Sequence, residues 1–343
     1  MLDLRPLRHF ISVVELGSVS RAASHIGIAQ PALSHQMTAM EKELGVKLLY
    51  RDQRGTRPTE AGRALYRHAQ VLLRQLDDAR RAVRLNTDDI SGTVSVGLSV
   101  TTAEILSLPL LLQVGESHPS IRLQLIALPR RLLGEMLANG RLDIALLFDQ
   151  GFTKGLTVRP LAIEEVFFVR ARIGGEADVP AHKAVELAEV AAFPLLMPCR
   201  PHAARMLLET TLTQAGYDFN VVAEIDSVPS MVEAAEAGFG ATVLPWSAVY
   251  REAAQGRLSV QSFAPPITRE ISLCRSDTVP LSAAVSTTWN AIEATVTDLV
   301  ATGRWKGLTL LWNDRPPGQV SLPAPPPVLA PQAPAQRKAE TVP

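Results

Sequence analysis

The most legible chemistry lies in the run QPALSHQMT, residues 30–38. Leu33, Met37, Met40 and Leu44 recur at helical spacing as one apolar stripe. Pro31 falls where such a helix would begin, and proline is favoured there because the first N–H groups of a helix have no intrahelical partner. The opposite face presents Gln30, Pro31, Ser34, His35 and Thr38. These side chains are short or neutral, so they can approach base edges and phosphates closely. Glutamine can pair with adenine, serine can bond any base, and a helix N-terminus attracts phosphate. A solvent-facing helix more often carries Glu and Lys. For His35 a plain solvated position stays open.

A second set of candidates sits at strand-to-helix turns. GLSVTTAEI holds Ser99, Thr101 and Thr102, whose hydroxyls and following free N–H groups could hold a carboxylate or simply cap the helix. Phe148 ends a strand and could floor the same cleft. MPCRPHAAR brings Arg200 and His202, and IDSVPSM brings Ser227 and Ser230. The chemistry is capture of a small anion by hydroxyls and helix ends, with Arg200 or His202 supplying charge. Arg200 reads equally as a solvated loop residue.

The elements that must position these groups are readable from periodicity. Helices are expected at 4–14 (Leu4, Leu7, Phe10, Ile11 and Val14 on one face), from Ser18–Ser20, and over 31–44. Small Ala22 and Ala23 permit the close packing of a helix-turn-helix. LLYRDQRGTRPTE reads as a hairpin wing. From Thr59 a long helix carries Leu65, Ala69, Leu72, Leu76, Ala79 and Val83 at alternating steps of four and three. This is the spacing of a two-helix seam, with a single amphipathic helix as the alternative. From residue 92, strands and helices alternate as βαβ units of a mostly parallel sheet, forming two subdomains joined by crossing strands near 162–166 and 264–269. After Asn313 the Pro- and Ala-rich sequence cannot build a core; a polyproline ligand is the second reading.

Composition agrees with a globular chain: 343 residues, 47% hydrophobic and 20% charged, with zero formal net charge. The balance is uneven, since residues 1–90 hold 14 Lys and Arg against 10 Asp and Glu. A modestly basic first third suits a polyanion. No apolar run approaches the roughly 20 residues of a membrane span, and MLDLRPLRHF lacks the order of a signal peptide. With only Cys199 and Cys274, the expected compartment is the cytoplasm.

The elements GS-x-x-x-AA, QPALS-x-Q, MEKELG-x-x-L-x-x-R and PTEAG resemble the N-terminal signature of the LysR-type transcriptional regulators, with MEKELG and PTEAG as variants of its LE-x-ELG and LT-x-AG. SGTVSVGL, GRLDIALLF and EAGFGATVLP resemble that family's effector domain. Within the family, the stretch through the first effector strand is similar to the nitrogen assimilation control group. The resemblance implies a winged helix-turn-helix at 1–59, a linker and dimerisation helix at 60–89, and a two-subdomain effector domain at 90–305 folded like periplasmic binding proteins. Its subdomains would cover about 92–163 with 267–302, and about 164–266, followed by a disordered tail at 314–343. The resemblance also implies a homodimer assembling into a homotetramer. It would bind a partly palindromic promoter DNA site, answer to a small-molecule effector, contact RNA polymerase, and activate or repress. Carried onto this chain, the DNA contacts fall on Gln30, Pro31, Ser34, His35 and Gln36. Ser20 and Arg21 would touch the backbone, and Arg51, Arg54 and Thr56 would lie on the wing. Many relatives have arginine where His35 stands, which makes its contact weaker and open to pH. The strand-to-helix turns that carry Ser99 to Ser230 hold small metabolites in such proteins.

A peroxide-sensing branch uses a cysteine near Cys199, but such sensing needs a resolving thiol and Cys274 is distant in sequence, so a buried or inert thiol is favoured. No GxSxG, HExxH, P-loop or metal spacing is present, so no enzyme, cofactor or metal site is expected. The alternative function is a cytoplasmic small-molecule-binding protein of the same effector fold without a regulatory role.

Overall fold

Three helices open the chain: α1 (Leu4–Leu16), α2 (Val19–Ile26) and α3 (Gln30–Leu44). The Ser18 hydroxyl caps α2 by accepting from the Arg21 N–H at 3.3 Å. Gly27 ends it at φ +79°, a left-handed conformation that glycine adopts without steric cost, and α3 follows at once with Pro31 in its first turn. Phe10, Val13, Ala22, Ala23, Leu33, Met37 and Met40 are buried in one cluster. Leu44, expected as the last member of the α3 stripe, is instead exposed. Strands β1 (Leu49–Asp52) and β2 (Gly55–Pro58) pair antiparallel as a wing. Helix α4 (Glu60–Leu85) then starts so close to the wing that a Cβ on Gly62 would stand 2.0 Å from the Leu48 carbonyl oxygen.

The computed structural model describes residues 4–52, 55–85, 90–148, 155–172, 184–277 and 281–311, without side chains at 74, 75, 77–85 and 203. The expected tail at 314–343 lies outside these residues.

Beyond α4, β3 (Gly92–Leu98), α5 (Val100–Ser117), β4 (Ile121–Ala127), α6 (Arg130–Ala138) and β5 (Ile144–Phe148) form βαβ units, with β3 parallel to β4 and β5. The 16-residue β6 (Leu156–Ala171) carries the chain across to a second set of elements. These are α7 (Leu187–Ala192), β7 (Pro194–Met197), α8 (Ala203–Gln214), β8 (Asn220–Glu224), α9 (Val228–Glu236), β9 (Thr242–Pro245), α10 (Trp246–Ala254) and β10 (Leu258–Gln261). The chain returns on β11 (Ile267–Ser276) and closes with α11 (Ala283–Ala301) and β12 (Leu308–Leu310). The main sheet has the order β10–β6–β11–β5–β3–β4, with β9 and β12 also on β6.

The sheet differs from the expected mostly parallel one. Five of its pairings, β11 with β5 and β6, and β9, β10 and β12 with β6, are antiparallel. The reason is the crossing: β11 returns along β6, and a strand that retraces its neighbour must run the other way. The crossing strands are also longer than the expected 162–166 and 264–269. Helices α7 and α10 and strands β10 and β12 are further elements that the periodicity does not mark.

At the crossing, Glu164 on β6 stands opposite Arg269 on β11. Glu164 is fully buried, and its Oε2 accepts from Arg269 Nε at 2.8 Å and Nη2 at 2.6 Å. Its Oε1 accepts from Trp305 Nε1 at 3.2 Å and from the Ser247 hydroxyl at 3.4 Å. Ser247 belongs to α10 in the second set of elements, whereas Trp305 follows α11, which packs on α5 and β3 of the first. One carboxylate therefore ties both halves to the crossing.

Removing one partner of a buried pair leaves the other uncompensated, so Glu164→Ala should cost about 3–5 kcal/mol in urea unfolding. The double change Glu164→Leu with Arg269→Met should recover most of that loss. A Glu164→Ala protein within about 1 kcal/mol of the parent would show that the pair does not hold the crossing.

Candidate nucleic-acid interface and effector cleft

Gln30, Pro31, His35 and Thr38 are exposed on α3, Ser34 is half-buried, and no acidic residue occupies the first turn. Arg51 on β1 donates from Nη1 to the Ser34 hydroxyl at 2.8 Å, so wing and helix share one surface. Ser20 and Arg21 are exposed at the start of α2. Arg54 lies outside the described residues. Thr56 is corrected: it is buried, and its backbone N–H donates to the Gly17 carbonyl at 2.9 Å to fasten the wing to the turn after α1. Gln36 is half-buried, with its Oε1 2.6 Å from His9 Nδ1 on α1.

The far end of α3 is anchored by a residue that the sequence reading passed over. Glu41 is buried, and its carboxylate accepts from the backbone N–H groups of Leu48 and Leu49 at 2.9 and 3.1 Å and from Lys47 Nζ at 2.8 Å. Burial alone would raise its pKa. The Lys47 hydrogen bond, the two backbone donors and the Lys47 charge outweigh burial and hold the carboxyl below the ordinary glutamate value. A carboxylate on the inner side of α3 was the available signal, since buried charges require partners.

On α4 the expected seam is corrected at its start. Ala69 is fully buried within the chain and Leu65 packs on the Phe10 cluster, because α4 must first cover α1. The Tyr66 hydroxyl reinforces that contact by donating to Glu15 at 2.9 Å. Leu72 is 47% exposed and Leu76 half-buried, so of the seam residues before Ala79 it is these two that keep an accessible side. The side chains of Ala79 and Val83 lie outside the described residues.

The second site gathers at strand ends. Gly97 pairs with Ala145, so Ser99 and Phe148 leave neighbouring parallel strands at the same end. The Ser99 hydroxyl caps α5 by accepting from the Thr102 N–H at 3.1 Å, and lies 3.2 Å from Thr101 Oγ1 and 2.8 Å from Thr102 Oγ1. Thr102 is corrected to a structural role, being fully buried, whereas Ser99 and Thr101 keep an accessible side. The Arg269 guanidinium stacks 3.6 Å above the centre of the Phe148 ring. That arginine, missed in the sequence, is already paired through Nε and Nη2 with the buried Glu164, so it holds Phe148 to the crossing rather than standing as a free cation.

In the second half, Met197 pairs with Glu224, so the turns before α8 and α9 emerge side by side. Arg200 is exposed and spends Nη2 on both Glu209 oxygens at 2.8 and 2.9 Å, which corrects it from anion ligand to surface ion pair. His202 keeps an open edge to solvent, yet removal of water by the surrounding wall, followed by the Arg269 charge, lowers its pKa against the opposing pull of Asp226. Ser227 and Ser230 are exposed, with the Ser230 hydroxyl donating to Ser227 at 3.0 Å. The Cys199 thiol is pushed up by desolvation and by Asp226 and Glu224, and a thiol kept protonated is a poor nucleophile. Cys274 is buried and pushed up to about 12.

Two family descriptions match the chain. "Bacterial regulatory helix-turn-helix protein, lysR family" covers residues 4–63, and "LysR substrate binding domain" covers residues 87–297. The chain is 36% identical to the nitrogen assimilation regulatory protein nac of Klebsiella aerogenes over 248 residues, 72% of this chain and 79% of that protein. The Escherichia coli K12 protein of that name is 34% identical over the same shares. In fold, the chain is similar to a full-length OxyR variant from Pseudomonas aeruginosa at TM-score 0.65 and 21% identity, covering 86% of this chain and 95% of that one. It is also similar to full-length CbnR complexed with its target DNA, at TM-score 0.57 and 22% identity, covering 86% and 100%.

The Glu41 anchor gives the DNA-binding segment a defined acid response. Because the folded pKa is depressed, the contribution is complete above the unfolded value of about 4.3 and is lost as pH falls through the folded value. Denaturant titrations should show Glu41→Gln less stable than the parent at pH 7, with the gap closing in acid. A gap that stays constant from pH 7 to acid would exclude the carboxylate as its source.

Proposed function

The chain belongs to the LysR family of bacterial transcriptional regulators, and on that premise we propose that α3 and the wing read a partly palindromic promoter site under the control of a small anionic effector. The regulator is a DNA-binding protein by family. The observation that supports the residue-level reading is the α3 face, which offers Gln30, Pro31, Ser34 and His35 without a carboxylate in the first turn and carries Arg51 hydrogen-bonded to Ser34. Neutral side chains at the helix start can reach base edges, while Arg51, Arg21 and Ser20 suit phosphates. Arg54 joins this set as a wing contact by resemblance.

A second copy completes the reader. Two-fold symmetry places two copies of α3 in successive major grooves, about 34 Å apart. Leu72 on α4 and Leu108, Leu111 and Leu112 on α5 are exposed apolar surface suited to a further copy of the chain. We read these as surfaces of a homodimer that pairs into a homotetramer, acting in the cytoplasm beside RNA polymerase, with segments 1–59, 60–89 and 90–305 as its working parts. No helix among the described residues is long and apolar enough to cross a membrane.

The effector half follows from the cleft. Ser99 and Thr101 offer hydroxyls and free N–H groups at a helix start and His202 and Ser227 a second wall, while Arg269 is already paired with Glu164 and Phe148 is buried against it. A small organic acid bound there would draw the halves together about β6 and β11 and so change how dimers pair on DNA.

Two measurements test these halves. A duplex carrying the upstream region of the gene should be retarded by the parent, and Ser34→Ala with Gln36→Ala should abolish the shift while folding and dimerisation persist. Arg51→Ala should weaken all sequences alike and lower the salt slope by about 1. An intact shift in the double variant would move the recognition surface elsewhere. For the cleft, one of a broad set of organic acids should raise the melting temperature. At 100 times Kd the gain is about 2.7 kcal/mol, and Ser99→Ala should reduce it. No stabilisation by any acid would reject an anionic effector.

A further inference from the structure

We propose that His9 is a specificity-positioning residue: it turns the Gln36 carboxamide so that its two amide hydrogens face outward, making α3 select a hydrogen-bond acceptor on the base that Gln36 meets. The inference rests on α3 being the DNA-reading helix. His9 lies on the buried side of α1, only 9% exposed, and 27 residues from Gln36 in sequence. A buried imidazole must find a partner, and the Gln36 Oε1 at 2.6 Å provides it. A carboxamide oxygen can only accept, so the Nδ1 proton of His9 is the one donated. The helices that carry the pair are locked together by Phe10, Leu33 and Met37, which leaves little play in the contact.

The consequence is a change in what Gln36 can read. A free glutamine pairs with adenine by accepting from N6 and donating to N7. With Oε1 engaged inward, Gln36 keeps only its donating half. Guanine, with N7 and O6, and thymine, with O4, satisfy that half; adenine offers only N7 beside the N6 donor, and cytosine presents a donor against it. Gln30, exposed at the start of α3, meets no such restraint among the described residues and retains the adenine-pairing option. Two glutamines six residues apart on one helix thus acquire different preferences from their surroundings.

The test is selection of bound sequences from a randomised duplex library by the full chain and by His9→Phe, Gln36→Ala, Gln36→Glu and Gln30→Ala, with melting curves for each. The parent should favour guanine or thymine at the position that Gln36→Ala relaxes. His9→Phe should cut that preference about 5- to 10-fold at the same position, and adding Gln36→Ala should cut it no further. Gln36→Glu retains an acceptor for His9 but has no outward donors, so it should turn the preference toward cytosine without a fall in melting temperature, and His9→Leu replaces the ring by a smaller apolar side chain should His9→Phe fail to fold, with the same loss of preference expected. Retained preference in a folded His9→Phe, a parent preference for cytosine, or an even loss over all positions overturns the proposal. If Gln30→Ala alone alters the selected sequences, the inference fails and the reading of α3 stands. If no variant alters them, that reading fails too.

Discussion

A single buried carboxylate sets the geometry on which the second site depends. Glu164 takes two hydrogen bonds from Arg269, one from Trp305 and one from Ser247, and these donors come from β11, from the segment after α11 and from α10. Charge burial is tolerable only when the ion is paired and its lone pairs are filled. Here that requirement forces three separate parts of the chain to meet at the crossing strands. Arg269 then has a fixed plane, and that plane lies on Phe148. Phe148 is therefore held by the same guanidinium that joins the two crossing strands.

The DNA-reading segment uses the same physics at smaller scale. Its helices are short and its core is mostly Phe10, Leu33 and their neighbours. Apolar packing has little direction, whereas hydrogen bonds do. Glu41 uses that directionality to pin the end of α3 to the start of β1, the Arg51–Ser34 bond joins the wing to the middle of α3, and the His9–Gln36 bond joins α1 to it. Glu41 is buried, so it stiffens the helix without adding negative charge to the DNA-facing surface. The linker helix is tied to this unit through Ala69, Leu65 and the Tyr66–Glu15 hydrogen bond. A change in linker pairing would thus reach α1 through a packed contact.

Much of this arrangement was legible beforehand because periodicity records which face of an element is buried. The helices of residues 4–44, the wing and the βαβ units fall where apolar spacing and turn residues put them. Where the reading erred, a tertiary contact had changed the meaning of a residue type. Thr56 and Thr102 look like ligands in a list of hydroxyls, but both are buried, Thr56 where its strand is fastened to Gly17. Arg200 looks like an anion site until Glu209 on α8, nine residues on, pairs with it. Ala69 fits a dimer seam by spacing, yet α1 covers it first.

The amino-acid sequence by itself determined the helix-turn-helix, the long α4, the alternating effector segment and the family, since local propensity, turn chemistry and dense motifs are properties of short stretches. Only the tertiary structure decided which polar residues are free to bind. Glu164 and Arg269 are 105 residues apart, and His9 and Gln36 are 27 apart. Pairings at such separations depend on strand register and helix packing, which no local pattern specifies. QPALSHQ marks the reading helix, but the partner that occupies one side of Gln36 lies on another helix.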